Sequence, residues 1–249
     1  MATTFPVLTF HALDDRSSVI SFPPPLFERG MRSLYDSGYR TVKFSELVEH
    51  LRADKPFPER SFLITFDDGY QSVYERAFPI LQRYGFSATV FLTVGKKGSE
   101  IGSDRLPLMC DRTMLSWDEI VEMHRCGIEF GGHTLTHPDL TSISSARINV
   151  EVRESKSIVE DRLGAEVACF AYPYGRYDSR CRAIVSQYFI CACSDKLGLV
   201  HKNSDIYAIE RVDAYYLRNE WLFGITLTEL FPWYIRARSI PRRIRRWLY

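Results

Sequence analysis

The chain has 249 residues, 45% of them hydrophobic and 25% charged, with a formal net charge of +1. Those values fit one globular domain with one large core. They give no field of either sign that would gather nucleic acid or strongly acidic substrates, so a neutral or locally recognised substrate fits better. Residues 1–10 carry no basic segment followed by a long apolar run, Pro6 interrupts what hydrophobicity there is, and no window is apolar enough to span a bilayer. The expectation is a cytoplasmic protein.

Short runs rich in β-branched and aromatic residues alternate with segments of helical spacing, the pattern of a parallel sheet. In chain order, 6–10 reads as a strand and 25–37 as a helix, entered through Pro23-Pro24-Pro25. Strands at 40–43 and 62–66 precede helices at 45–51 and 73–84. A strand at 88–93 leads through a loop, 95–113, to a helix at 117–125, whose start carries Ser116 and Glu119 at capping-box spacing. Strands at 128–131 and 168–171 flank a helix at 144–163, and a helix at 179–187 precedes strands at 189–192 and 206–212. Seven or eight such units in one domain imply a closed or nearly closed α/β barrel whose site lies where the strand C-termini meet their loops.

From Trp233 the composition changes to Arg236, Arg238, Arg242, Arg243, Arg245 and Arg246 interleaved with Ile235, Ile240, Ile244, Trp247 and Leu248. This basic amphipathic segment reads either as a solvated helix packing on the barrel or a partner, or as a peripheral contact with an anionic membrane surface, which would lie on the inner face of the membrane. Residues 1–220 form the expected main domain and 221–249 a helical extension. The six cysteines show no metal-module spacing, and Cys191 and Cys193, two apart in an apolar run, read as small core residues on one strand face.

Four segments carry chemistry. The strand at 62–66 runs into Asp67-Asp68-Gly69, where two diverging carboxylates can divide between binding a metal and taking a proton. Gly131-Gly132-His133 through His137 follows another strand; two imidazoles four residues apart on one helical turn can share a cation, as in zinc proteases, although the glutamate of that motif is absent. Two histidines and a carboxylate leave coordination positions open, as a catalytic site requires. Ala171-Tyr172-Pro173-Tyr174-Gly175 turns at a strand end and can offer a backbone N–H to an oxyanion, and His11 ends the first strand, placed to protonate a leaving amine. Each segment alone is compatible with a loop, a turn or a core histidine. His50 and His124 fall on polar helix faces and read as solvated.

Together and in this order, the four segments resemble the polysaccharide deacetylase family with its NodB-homology domain, over about residues 5 to 215. The resemblance implies a distorted (β/α) barrel of about seven parallel strands, Asp67 as catalytic base, Asp68, His133 and His137 as metal ligands, and the Tyr174 amide as an oxyanion donor. Many members carry a general-acid histidine in a late Leu-x-His motif that is missing here; Thr9-Phe10-His11 is similar to a permuted subgroup acting on exported poly-N-acetylglucosamine, so His11 is assigned as the acid. Ala171 stands where many members have an arginine bracing the base, and Arg211 is the candidate replacement.

The implied activity is removal of an N-acyl, chiefly N-acetyl, group from an amino sugar in a polysaccharide, glycolipid or sugar precursor. The cofactor is one divalent metal, zinc by default, with cobalt, nickel, manganese or iron accepted by the same donors. The rivals are a C–N hydrolase acting on a formamide or cyclic amide, and an inactive carbohydrate-binding homologue.

Overall fold

The computed structural model describes residues 3–95 and 104–248, with backbone alone for 241–248. The strands are β1 (Thr4–Phe5), β2 (Val7–Phe10), β3 (Arg40–Thr41), β4 (Ser61–Phe66), β5 (Thr89–Leu92), β6 (Glu129–Gly132), β7 (Cys169–Ala171), β8 (Cys191–Leu197), β9 (Val200–His201) and β10 (Ile209–Asp213). The helices are α1 (Pro24–Asp36), α2 (Phe44–Arg52), α3 (Phe78–Tyr84), α4 (Trp117–Arg125), α5 (Ser145–Leu163), α6 (Ser179–Tyr188), α7 (Glu220–Gly224) and α8 (Phe231–Leu248). The main sheet runs β2-β10-β8-β7-β6-β5-β4-β3, and an additional β2–β4 pairing closes seven parallel strands into a barrel with β3 appended outside. The pair β1–β9 is antiparallel and separate.

Side-chain alternation divides each barrel strand between lumen and helices. On β4, Leu63 belongs to one buried cluster with Val7, Phe91, Ala171, Cys191, Cys193 and Ile209, while Phe62, Ile64 and Phe66 join the larger cluster under the helices. Both cysteines therefore share the lumen face, as expected. The helix α2 adds Phe44, Leu47, Val48 and Leu51 to that lumen cluster. Continuing the same parity toward the strand C-termini brings Thr9, His11, Thr65, Asp67 and Arg211 onto the lumen side, which changes from apolar to polar along its length.

The helices follow their sequence signals. On α1, Leu26, Phe27, Gly30, Met31 and Leu34 form the buried stripe. The capping box at Ser116 and Glu119 is present at α4, and α5 starts on Ser144 and ends at Gly164 in the left-handed region. The expected helix at 73–84 is instead a π-helical turn, Val73–Ala77, followed by α3. Pro79 explains the break: it has no N–H for the Glu75 carbonyl and its ring crowds that oxygen.

The first part of the extension packs on the same core through Phe223, Ile225, Phe231 and Ile235, leaving Trp221, Trp233 and Ile240 exposed. No described helix is long and apolar enough to cross a membrane. The side chains of Arg242, Arg243, Ile244, Arg245, Arg246, Trp247 and Leu248, and residues 96–103 of the expected variable loop, lie outside the described residues. His50 and His124 are half-buried rather than solvated: the His50 ring packs against Phe57, and His124 Nδ1 lies 3.3 Å from the Ile128 carbonyl.

Candidate active site

The strand ends of β2, β4, β6, β7 and β10 bring the expected site residues to one cleft of about 600 Å³, lined by His11, Asp67, Asp68, His133, His137, Tyr174 and Arg211 among others. Asp67 and Arg211 form a buried two-point ion pair, Nη1 to Oδ1 and Nη2 to Oδ2 both at 2.8 Å. The guanidinium is itself fixed, donating from Nε to the Ser194 carbonyl at 3.0 Å and lying 5.8 Å from the Phe91 ring centroid. Burial alone would raise the Asp67 carboxyl, but Arg211 more than offsets it and holds the group below its ordinary range, and the arginine is raised in turn. With β7 offering Ala171, the cation facing Asp67 arrives from β10.

Parity alone would turn Asp68 away from Asp67. Its φ of 76° reverses that, and Gly69 continues at 88°, where a Cβ would meet Leu106 and Leu92 within 3 Å. Asp68 Oδ1 consequently lies 3.5 Å from Nε2 of both His133 and His137, and the two Nε2 atoms are 3.1 Å apart. His133 Nδ1 is 2.7 Å from the Ala171 carbonyl, which only accepts, so that nitrogen carries the proton and Nε2 presents a lone pair.

The imidazole pair does not sit on a helical turn as expected. Residues 133–138 form a loop in which Thr134 and His137 have φ of 70° and 54°. Its shape is set by Thr134 Oγ1, which accepts from His137 N–H at 3.0 Å, and by Glu151, whose fully buried carboxylate accepts from the N–H groups of Leu135 and Thr136, both at 2.9 Å. Sequence reasoning passed over Glu151, yet it falls on the buried stripe of α5 with Ile148, Val152, Ser155 and Val159, and a glutamate on such a stripe is the available signal.

Three donors around one cation at about 2.0–2.1 Å stand roughly 3 Å apart, which the 3.1 and 3.5 Å separations match. Among the described residues this is the group of acidic, histidine and cysteine side chains that can hold a metal ion. The donor chemistry agrees: burial raises the Asp68 carboxyl but the facing histidines bring it well below its usual range. Burial and then His133 push His137 down to about 4, leaving it neutral, as a metal-binding imidazole must be.

His11, partly exposed, has Nε2 3.9 Å from Asp67 Oδ2. Tyr174 follows β7 with φ of 55° and sets its exposed ring edge-on to His137 at 4.6 Å. Gly175 beside it has φ of 62°, and a Cβ there would lie 2.2 Å from Asp195. The cleft also gathers Val19, Ile20, Met109, Asp195, Asp213 and Tyr215, none with a motif to announce it. His201 is exposed on β9 and lines a different cavity, beside α8.

The comparisons with known proteins point the same way. Residues 54–190 match the polysaccharide deacetylase family profile. Bacillus subtilis YxkH is 29% identical over 208 residues, 83% of this chain and 70% of that protein. The poly-beta-1,6-N-acetyl-D-glucosamine N-deacetylase of Staphylococcus aureus (strain MRSA252) is 31% identical over 183 residues, 69% of this chain, which spans 61% of that relative's length. The solved structure of the Streptococcus pyogenes deacetylase PplD, in complex with acetate, superposes with a TM-score of 0.75 at 25% identity, covering 84% of this chain and 92% of PplD. With the barrel closed as expected and the motif residues gathered at its mouth, the match over more than half the sequence makes this chain a member of the polysaccharide deacetylase family.

Proposed function

We propose that the protein is a metal-dependent N-deacetylase acting on an amino sugar, with residues 1–220 as its catalytic unit. The observation that carries this reading is one cleft in which Asp67 is clamped by Arg211 beside the converging donors Asp68, His133 and His137. A divalent cation held by those three would polarise the acyl oxygen and acidify a water molecule, and zinc is the default choice.

The chain's own groups supply the remainder. Asp67 stays ionised under the Arg211 field and retains lone pairs beyond the two that Arg211 engages, so it can take the proton as water attacks the acyl carbon. Arg211 holds that carboxylate in one orientation through its two hydrogen bonds. The Tyr174 N–H donates to the oxyanion, and His11, close to the base but less buried, gives its proton to the amine as the C–N bond breaks. The products are acetate and a free amine. The substrate reading follows the staphylococcal relative, whose name gives a poly-beta-1,6-N-acetylglucosamine.

The test is acetate release by zinc-loaded protein from N-acetylglucosamine oligomers, nucleotide sugars and lipid-linked sugars, beside Asp67→Asn and His11→Ala. Release by wild type that both variants lose supports the reading. Turnover of a formamide or cyclic amide instead, or of nothing while metal is bound stoichiometrically, overturns it.

A further inference from the structure

Among the described residues, none from α8 lines the catalytic cleft. After Glu229 the sequence holds six arginines and no acidic residue, whereas the whole chain has a formal net charge of only +1, so without these six it would stand at −5. Positive charge is therefore gathered on α8, and the remainder of the chain is net negative.

The helix turns one face to the barrel and another to solvent. Phe231, Ile235 and Ser239, spaced four apart, are buried. Trp233 is 68% exposed and Ile240 53%, and with the exposed Ala237 they follow a spacing of four and three, which sets them on one stripe about half a turn from the buried one. The sequence repeats that spacing at Ile244 and Trp247. Arg236 and Arg238, both exposed, fall on the two sides of the stripe. A buried apolar stripe is what a helix packed on a core requires; a second one facing water on the same helix marks an interaction surface.

Beside the helix lies a cavity of about 500 Å³, in which the buried Leu197, Leu199 and Ile235 share the lining with Trp233 and Arg236. An apolar recess next to an indole and a guanidinium suits an amphiphile with an apolar tail and an anionic head. A second copy of this chain fits poorly: it would oppose six arginines with six, with no carboxylate on either helix.

We propose that α8 lies on an anionic phospholipid bilayer, its exposed stripe sunk among the headgroups and its flanking arginines against the lipid phosphates. The inference does not depend on the deacetylase reading, and its test uses the full chain without turnover. Co-sedimentation is measured with vesicles of phosphatidylcholine alone and of phosphatidylcholine and phosphatidylglycerol in equal parts. The proteins are wild type, Trp233→Ala plus Ile240→Ala, and Arg236→Gln plus Arg238→Gln. All four exchanged side chains are exposed, and circular dichroism establishes that the variants fold.

Wild type should bind the anionic vesicles, leave the neutral ones and release as salt is raised. Each pair of substitutions should weaken the binding about tenfold. Equal binding to both vesicles, binding to neither, or anionic binding that either variant leaves unchanged overturns the proposal. So does a dimer in sedimentation equilibrium that Trp233→Ala plus Ile240→Ala dissolves while wild type ignores the vesicles, which would give the stripe to a second copy.

Discussion

The two ends of the barrel lumen are made from the same strands by opposite means. At the N-terminal end, Val7, Leu63, Phe91, Cys191 and Ile209 pack with Phe44 and Leu47 of α2, all buried and in ordinary extended or helical backbone. At the C-terminal end the same faces carry Thr9, Thr65, Asp67 and Arg211, ringed by Asp68, Thr134, His137 and Tyr174 in the left-handed region. Four non-glycine residues in that region at one end of one barrel are a concentration of strain, and strain of about 1–3 kcal/mol per residue persists only where surrounding structure enforces it. The apolar end supplies the stability that allows the polar end to be costly.

The largest effect that would sharpen this contrast comes from Asp67→Asn. Acetate release should fall about 10²–10⁴-fold. The same change leaves the Arg211 guanidinium buried without its counter-charge, which costs about 3–5 kcal/mol and should appear as a lower thermal midpoint. Adding Arg211→Met should recover much of the midpoint and none of the activity. Activity within tenfold of wild type in the single variant would remove Asp67 from the base role.

The complementary change is Phe44→Ala at the other end. Phe44 is fully buried, with its ring centroid 5.9 Å from that of Phe91, and truncation should cost about 3–5 kcal/mol in denaturant unfolding. Turnover per folded molecule should remain close to wild type. A fall in turnover as large as that of Asp67→Asn would show that the two ends are mechanically one, and the contrast would fail.

Much of this was legible in the sequence. Barrel strands covered on both faces read as apolar runs, so 62–66 and 168–171 were placed to within a residue or two, and the Ser116 and Glu119 spacing located α4. The expected donors Asp68 and His133 were legible because each stands just past such a run, and His137 through its spacing from His133. What was hidden is backbone handedness: nothing in the letters of Asp68, Thr134 or His137 states a positive φ, so the imidazole pair was expected on a helical turn and lies instead on a loop held by Glu151. The π-helical turn was hidden too, although Pro79 four residues beyond Glu75 marks where a regular ladder must break. Cleft residues such as Asp195, Asp213 and Tyr215 carry no motif because loops converge there from distant parts of the chain.

The smallest expected effect comes from a carboxylate at the same strand-end rim that is partly open to water. Asp178 caps α6 through Oδ1, which accepts from Cys181 N–H at 2.9 Å, and that bond is the chief reason its carboxyl is pulled down to about 2. Because the folded value lies below the ordinary carboxylate value of about 3.9, the cap stabilises the fold at every pH above that range, and its contribution is lost as the pH falls from about 4 toward about 2. Asp178→Ala should therefore lower stability by about 1 kcal/mol at neutral pH, and the gap between variant and wild type should close on acidification through that window, as followed by urea unfolding. Acetate release at neutral pH should be unaffected. A gap that persists at pH 2 would mean that the residue acts through packing rather than through its charge, and lost turnover would mean that the polar end extends further from Asp67 than the barrel mouth.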